Sequence, residues 1–431
     1  MKKLLLLLSL LLFNIGNSQI INFPDPNLKS FLINANINFD PNFSISYPPI
    51  DANNDDEISI AEAQTVIRLN FYYQQITDFE GIQFFTNIKS IESLFTDFST
   101  FNYPTLVNLE ELYFVNTLVG IGPLVNLNFS GNINLKKLTL SSGTTSLDFS
   151  NNINLRDVSI YCPNLTSLNL SNLSNLKNLS YFGKMPTINL SDCTNLLTLN
   201  CSTGSSINYV VPEENKLTSL DLAFQTKLVE INIPGNNLTS LDLSRCTNLE
   251  TIGISYNKIS NLNIDNLRYV KSFYAENNLL TSLNINALFN IQTLYCQNNL
   301  LTSLSTKNGI IEEYIYFSGN PNLATVCCDE NEIVYMKNQC LQNNNDTAVV
   351  NSNCGASSFR VAMYPNPVRD LLHLDSDQNI SKIEIFSMNG LMIMSDEIVE
   401  DVVNLEQLQS GMYFIKVYIG EEITNMKFIK S

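Results

Sequence analysis

The chain has no tryptophan, a single histidine, and few basic residues, 24 lysines and arginines against 41 aspartates and glutamates. Without tryptophan it lacks the strongest platform for stacking sugars. The one histidine, His373, lies near the C-terminus, so a histidine-based triad or dyad elsewhere is excluded. No Gly-rich phosphate loop follows a strand pattern. The adjacent carboxylates Glu110–Glu111, Glu213–Glu214 and Glu312–Glu313 point oppositely along a strand, which predicts solvated surface and not an acid–base pair. The net charge of −17 excludes the basic stripe that nucleic acid requires and disfavours anionic membrane surfaces. Cationic ligands, calcium and neutral glycans fit that balance, and the missing residue types argue against an enzyme.

What the chain has instead is one phrase repeated about every 21 residues. Leu228-x-x-Ile231-x-Ile233-x-x-Asn236-x-Leu238 is followed by three copies, ending in Ile291-x-x-Leu294-x-Cys296-x-x-Asn299-x-Leu301. The middle apolar residue of each phrase marks a longer series: Leu69, Ile91, Leu112, Leu138, Val158, Leu179, Leu199, Ile231, Ile252, Phe273, Leu294 and Ile315. Two steps are long, 26 residues from Leu112 to Leu138 and 32 from Leu199 to Ile231, the latter through "STGSSINYVVPEENK". A period this short predicts a solenoid, in which no unit buries its apolar face without its neighbours. The period-two core is a short strand with one buried face. The recurring Asn closes the turn by bonding backbone groups. The second apolar set (Leu241, Leu243 and Leu249) forms the opposite wall, extended or 3₁₀ because the repeat is too short for a helix. Over roughly residues 64–324 the pattern resembles the leucine-rich repeat in a short bacterial form. The resemblance implies a parallel sheet on the concave side and a binding function.

The ends carry different signals. "MKKLLLLLSLLLFNIGNSQ" reads as a secretory signal peptide, residues 1–19, its apolar run too short to span a bilayer. Residues 20–63 form an N-terminal cap, with Leu28, Phe31 and Leu32 on one face of a helix begun by Pro26 and capped by Asp25. Among the nine cysteines, Cys201 and Cys296 occupy the slot of Ile233 and Ile254, and Cys193 and Cys246 that of Leu173, as buried small apolar groups. Cys327, Cys328, Cys340 and Cys354 fall in residues 325–356, a C-terminal cap and linker that one or two disulfides could staple. Residues 357–431 change to alternating strands with turns, Asn389-Gly390 among them. The "YPNP" of Tyr364–Pro367, the "LLHL" strand, the "MNG" turn and the "SGMYFIKV" strand resemble the C-terminal sorting domain of the type IX secretion pathway. That resemblance implies a small β-sandwich, recognition by the secretion machinery, and export to the outer-membrane surface or beyond.

Before the first repeat, "DANNDDEISIAE" sets Asp51, Asn53, Asp55, Glu57, Ser59 and Glu62 at the oxygen-ligand spacing of a calcium loop, with Glu57 contributing its carbonyl. It resembles a half EF-hand, similar to those of dockerin-like modules. Asp56 stands where that family has Gly, and the preceding helix is missing. The same residues also read as an acidic turn and helix cap.

On the concave face two aromatic groups emerge, Tyr161 with Phe182 and Tyr274 with Tyr295, the candidate ligand-binding residues. The expectation is therefore a secreted protein that binds a protein or polysaccharide without catalysis. The alternative is a self-associating component of the cell-surface matrix or an adhesin layer.

Overall fold

The computed structural model describes residues 19–35, 48–72, 75–94, 100–115, 126–201, 217–352, 361–376, 379–388, 391–396, 402–419 and 422–431. Most of the signal segment, the insertion 202–216 and the Asn389-Gly390 turn lie outside them. The chain divides into two compact units, Met1–Thr325 with Val334–Val349, and Val326–Ile333 with Val350–Ser431.

The first unit is built on one parallel sheet of twelve strands in chain order. Its strands are Arg68–Tyr72, Ser90–Leu94, Glu111–Val115, Lys137–Ser141, Asp157–Tyr161, Asn178–Phe182, Thr198–Asn200, Glu230–Asn232, Thr251–Gly253, Ser272–Tyr274, Thr293–Tyr295 and Tyr314–Tyr316. The twelve marker residues pair with one another across every step, from Leu69 with Ile91 to Leu294 with Ile315. Both long steps keep this register, at Leu112 with Leu138 and Leu199 with Ile231. At ~4.8 Å per step the sheet runs about 53 Å. Every marker is buried. The opposite wall consists of tight turns such as Cys246 N–H to Leu243 C=O, 2.9 Å, and Leu249 N–H to Cys246 C=O, 3.2 Å, with one 3₁₀ turn at Ile82–Phe84 and no α-helix among the described residues between the strands.

Strand length follows the asparagine of the repeat. The first six strands have five residues, where no Asn stands five positions past the marker. From Glu230–Asn232 onward the strands have three residues, and Asn236, Asn257, Asn278, Asn299 and Asn320 occupy that position, all buried. The Asn278 Nδ2 donates to Ile254 C=O at 2.9 Å and Ala275 C=O at 3.2 Å, while its Oδ1 accepts from Ile259 N–H at 3.0 Å. One amide thus satisfies backbone groups of two coils at the bend, and the pattern repeats from coil to coil. The residue before each is left-handed, namely Gly235, Tyr256, Asn277, Asn298 and Gly319. A Cβ on Gly319 would come within 2.2 Å of the Asn298 amide oxygen, so a side chain there would have to displace that amide as well as adopt positive φ.

A second, exposed ladder comes from the asparagine of the "CTNL" phrase. Asn134, Asn154, Asn175 and Asn195 each donate to a carbonyl of the preceding coil at 2.7 to 3.0 Å. The cysteines fall in the slots assigned from sequence: Cys201, Cys193, Cys246 and Cys296 are buried thiols. Burial pushes Cys193 and Cys201 up to about 12 and Cys246 to about 11, so they stay protonated and unreactive. Elsewhere the slot of Cys193 and Cys246 is filled by the buried amides Asn152 and Gln225, whose nitrogens bond to carbonyls of the coil before.

The N-terminal cap holds helix Pro26–Asn34, with Leu28 and Leu32 fully buried and the Phe31 ring 4.8 Å from that of Phe71. Asp25 caps it, accepting from Asn27 and Leu28 N–H through Oδ1. Its Oδ2 accepts from Thr77 N–H at 2.7 Å and Asp78 N–H at 3.2 Å, tying the cap to the first coil. At the other end, helix Ile333–Gln342 closes the solenoid, an element the sequence reading did not anticipate. Asn345 donates to Phe317 C=O at 3.3 Å and Asn343 Oδ1 accepts from Phe317 N–H at 3.4 Å. Under that helix Glu312 is 1% exposed and accepts from Asn308 at 2.9 Å, which corrects its assignment to solvated surface. Glu312 stands three residues before the marker Ile315, in the slot that Ile291 and Val270 fill in the preceding coils, so the repeat register turns it inward. Glu110 does behave as surface, held below its ordinary value by the Lys136 hydrogen bond. Cys327 is disulfide-bonded, whereas Cys328 and Cys340 keep buried thiols.

The second unit contains two antiparallel sheets. One joins Val361–Tyr364, Leu371–Ser376 and Val402–Asn404; the other joins Met392–Asp396, Lys382–Ser387, Gly411–Ile419 and Glu422–Lys430. Val368, Leu372, Ile383, Ile385, Ile415 and Phe428 are among the residues of its core.

Two outcomes are expected. Asn278→Ala leaves three backbone groups without partners and lowers unfolding free energy in urea by about 3 kcal/mol, whereas the exposed Asn248→Ala loses about 1 kcal/mol or less. For Asp25, burial alone would raise the carboxyl pKa, but four backbone amides outweigh it and hold it below 3.8. Its contribution is then complete at neutral pH and is lost as pH falls through that depressed value. Asp25→Ala should lower the melting temperature at pH 7 by the equivalent of about 2 kcal/mol, and the gap to wild type should close in acid.

Candidate functional site

The surface available to a ligand is set by strand alternation: residues either side of each buried marker face out over the concave side. In the column one past the marker, Tyr113 is followed by six small or short residues, Thr139, Ser159, Ser180, Asn200, Asn232 and Gly253, and then by Tyr274, Tyr295 and Tyr316. The small residues leave a trough of about 340 Å³ over the middle coils, with Lys137, Asp157, Asn178, Thr198 and Glu230 along it. These groups bond to one another: Thr198 Oγ1 donates to Asn178 Oδ1 at 2.7 Å, and Asn178 Nδ2 to Asp157 Oδ1. Amide, hydroxyl and carboxylate groups are therefore fixed along the trough before any ligand arrives.

The four aromatic residues singled out from sequence fall into two groups, as expected. Tyr161 and Phe182 stack with centroids 4.5 Å apart and planes 7° from parallel, and Tyr161 is 53% exposed. Tyr274 and Tyr295 meet edge to face at 5.3 Å. The second group is larger than the sequence reading made it, because Tyr316 continues it at 4.8 Å from Tyr295, with exposed Tyr314 in the same strand. The signal was present: Ile315 was a marker, and its two flanking residues are both tyrosine. At the far end of the face Tyr72 donates to Glu92 at 2.6 Å; burial and that carboxylate push its phenol up to about 12. Ser255, three residues past its marker, is buried.

The acidic loop is built on two left-handed residues. Asp56 has φ 61°, the conformation for which the family has Gly, and Asn54 has φ 58°. Asp51 accepts from Asp55 and Asp56 N–H at 3.2 and 3.0 Å. Asp55 accepts from Glu57 N–H at 3.0 Å and from the Asn53 amide at 2.8 Å. Glu62 accepts from Ala52 N–H at 3.0 Å and Ser59 N–H at 2.9 Å, and with Ser59 forms a capping box on helix Ile60–Ala63. The Glu57 carboxylate pairs with Lys29 at 2.7 Å, which leaves its carbonyl as the group available to a cation. Oxygen donors of this type suit calcium. In the geometry observed they are turned to backbone amides, and no cluster of three or more acidic, histidine or cysteine residues is disposed to hold a metal among the described residues. Within the second unit His373 stacks on Tyr364 at 5.3 Å. Among the described residues no helix is long and apolar enough to cross a membrane.

Comparison with known proteins agrees with the separation into two parts. Residues 362–431 match the family "Secretion system C-terminal sorting domain". No curated protein matches the chain. The functional domain of InlJ from Listeria monocytogenes, described as including a cysteine ladder, is 17% identical, with 87% of this chain and 93% of that chain covered and a TM-score of 0.43. Internalin C2 from the same organism is 22% identical, over 53% of this chain and 92% of its own, with a TM-score of 0.39. A Toll–Spätzle complex from Drosophila is 14% identical over 67% of this chain and 46% of that chain, with a TM-score of 0.47. The marker register and the matched tail together make this a leucine-rich-repeat solenoid followed by a type IX secretion sorting domain.

Proposed function

We propose that this is an exported, non-catalytic protein that binds a protein or a surface polysaccharide on the concave face of its solenoid. The supporting observation is the trough over the middle coils, with fixed hydrogen-bonding side chains along it and with the Tyr161–Phe182 stack and the tyrosines of the last coils on the same face. Exposed aromatic rings around fixed hydrogen-bonding groups have the make-up of interface hot spots. The interior has no comparable role, since its thiols and amides serve packing and backbone. The sorting domain supports export to the cell surface or outside, with residues 1–19 as the signal peptide that begins it.

Self-association is the second reading, favoured by one feature. Val107, Ile133 and Ile153 occupy the same position in three consecutive coils and are 41%, 49% and 50% exposed. Such a column would suit a matrix or adhesin component that stacks on copies of itself.

Purified chain lacking residues 1–19, applied to glycan and protein arrays, should give ligands whose binding falls at least tenfold for Tyr161→Ala with Phe182→Ala or for Tyr274→Ala with Tyr295→Ala. Unchanged binding in both double variants would remove the concave-face reading. Light scattering that shows oligomers dissociated by Ile133→Lys would favour the second reading, and a monomer would count against it.

A calcium ion at residues 51–62 is a separable part of this proposal, supported by the left-handed Asp56. Its role would be to lock the N-terminal cap onto the first coil. Millimolar calcium should raise the melting temperature of the wild type and leave that of Glu62→Gln in place; no shift in the wild type removes calcium from the account.

A further inference from the structure

This inference rests on the concave face being the binding surface and names what one end of it takes. Tyr274, Tyr295 and Tyr316 run edge to face across three consecutive coils. Two residues beyond the first two of them, Glu276 and Gln297 lie in adjacent coils, which are joined there by Asn277 N–H to Gln297 C=O at 2.9 Å. The Glu276 Oε2 and the Gln297 Oε1 are each shut off from water without a hydrogen-bond donor. A buried acceptor left unmet is costly, and a carboxylate oxygen more so than an amide one. Burial accordingly raises the Glu276 carboxyl above its ordinary 4.5, although the Ser255 hydroxyl and its own amide oppose that shift. The solenoid thus holds two acceptors in want of donors beside a row of aromatic rings.

The missing group can be described from this chemistry. It must donate without needing to accept, carry positive charge, and lie against aromatic faces. A guanidinium meets all three conditions, with five donors in a planar fork and no acceptor. An ammonium supplies the charge but not the plane. A sugar hydroxyl can donate but carries no positive charge to pair with the Glu276 carboxylate. The net charge of −17 favours a basic partner before contact is made.

We propose that Tyr274, Tyr295 and Tyr316, with Glu276 and Gln297, form a receptor for an arginine side chain on a basic segment of a partner protein. On binding, the Glu276 and Gln297 side chains turn outward and present Oε2 and Oε1 to the guanidinium donors, and the guanidinium rests against the tyrosine rings as a cation–π contact.

The test uses the chain without residues 1–19 and a hexa-arginine peptide bearing one tryptophan. The chain has no tryptophan, so the peptide fluorescence is read without background. At about 0.15 M salt, where long-range attraction is screened, hexa-arginine should bind roughly tenfold more tightly than hexa-lysine, and hexa-glutamine should not bind. Glu276→Gln should weaken arginine binding by about tenfold and Tyr295→Leu by about fivefold. Asp265→Asn, which removes an exposed charge away from this cluster, should leave it within about twofold. Equal affinity for the two basic peptides overturns the proposal, as does an equal loss for Asp265→Asn and Glu276→Gln. Should Tyr295→Leu lose its thermal transition, Tyr316→Leu at the end of the row replaces it. Array ligands that depend on Tyr161 and Phe182 while the peptide fails would leave the binding face standing and remove only the arginine receptor. The reverse result would leave the receptor standing alone.

Discussion

A buried asparagine amide bridging two coils is the interaction on which the solenoid depends. A chain that bends every few residues strands backbone N–H and C=O groups inside the core, where water cannot reach them. Asn257, Asn278, Asn299 and Asn320 each donate through their nitrogen to carbonyls of their own and the preceding coil, and their oxygen accepts from an N–H of the neighbouring coil. Each coil therefore completes the polar bookkeeping of the one before it. Stability becomes a matter of nearest neighbours, and the two ends need their own solutions. Asp25 supplies one through its bonds to Thr77 and Asp78, and Asn343 and Asn345 supply the other through Phe317.

The same constraint separates structure from function along the repeat. Inward positions are fixed by packing, and the cysteines, the leucines and the ladder asparagines all belong to it. Outward positions are free of that demand, and their departures from small polar residues carry information. The tyrosines of the last coils, the Tyr161–Phe182 stack and the unmet acceptors of Glu276 and Gln297 are such departures. Tyr256 is another, a tyrosine in a left-handed position that neighbouring coils fill with glycine or asparagine.

Much of the fold was legible because its period is short and its strands alternate. Twelve markers read from spacing alone became twelve paired positions in one sheet, even across the two long steps. Pro26, Asp25 and the cysteine slots were legible for the same local reasons, since caps and repeat registers are written in neighbouring residues. The closing helix Ile333–Gln342 was not, because it has no repeat to announce it and begins among polar residues. The burial of Glu312 was written in the register, since it stands in the slot of Ile291 and Val270, but its acidic side chain masked that signal. The exposed "CTNL" asparagines were visible as a motif, but their bonds to the preceding coil needed the coils to be stacked.

By itself the sequence determined the solenoid, its sheet, the side of each strand that faces the core and the identity of the tail, because all of these depend on local periodicity and short motifs. Tertiary structure decided which outward side chains meet. Tyr316 joins Tyr295 and Tyr274, and Glu276 comes beside Gln297, only because residues 21 positions apart are brought to strand spacing by stacking. Whether a polar atom finds a donor depends on everything packed around it, and no count along the chain supplies that.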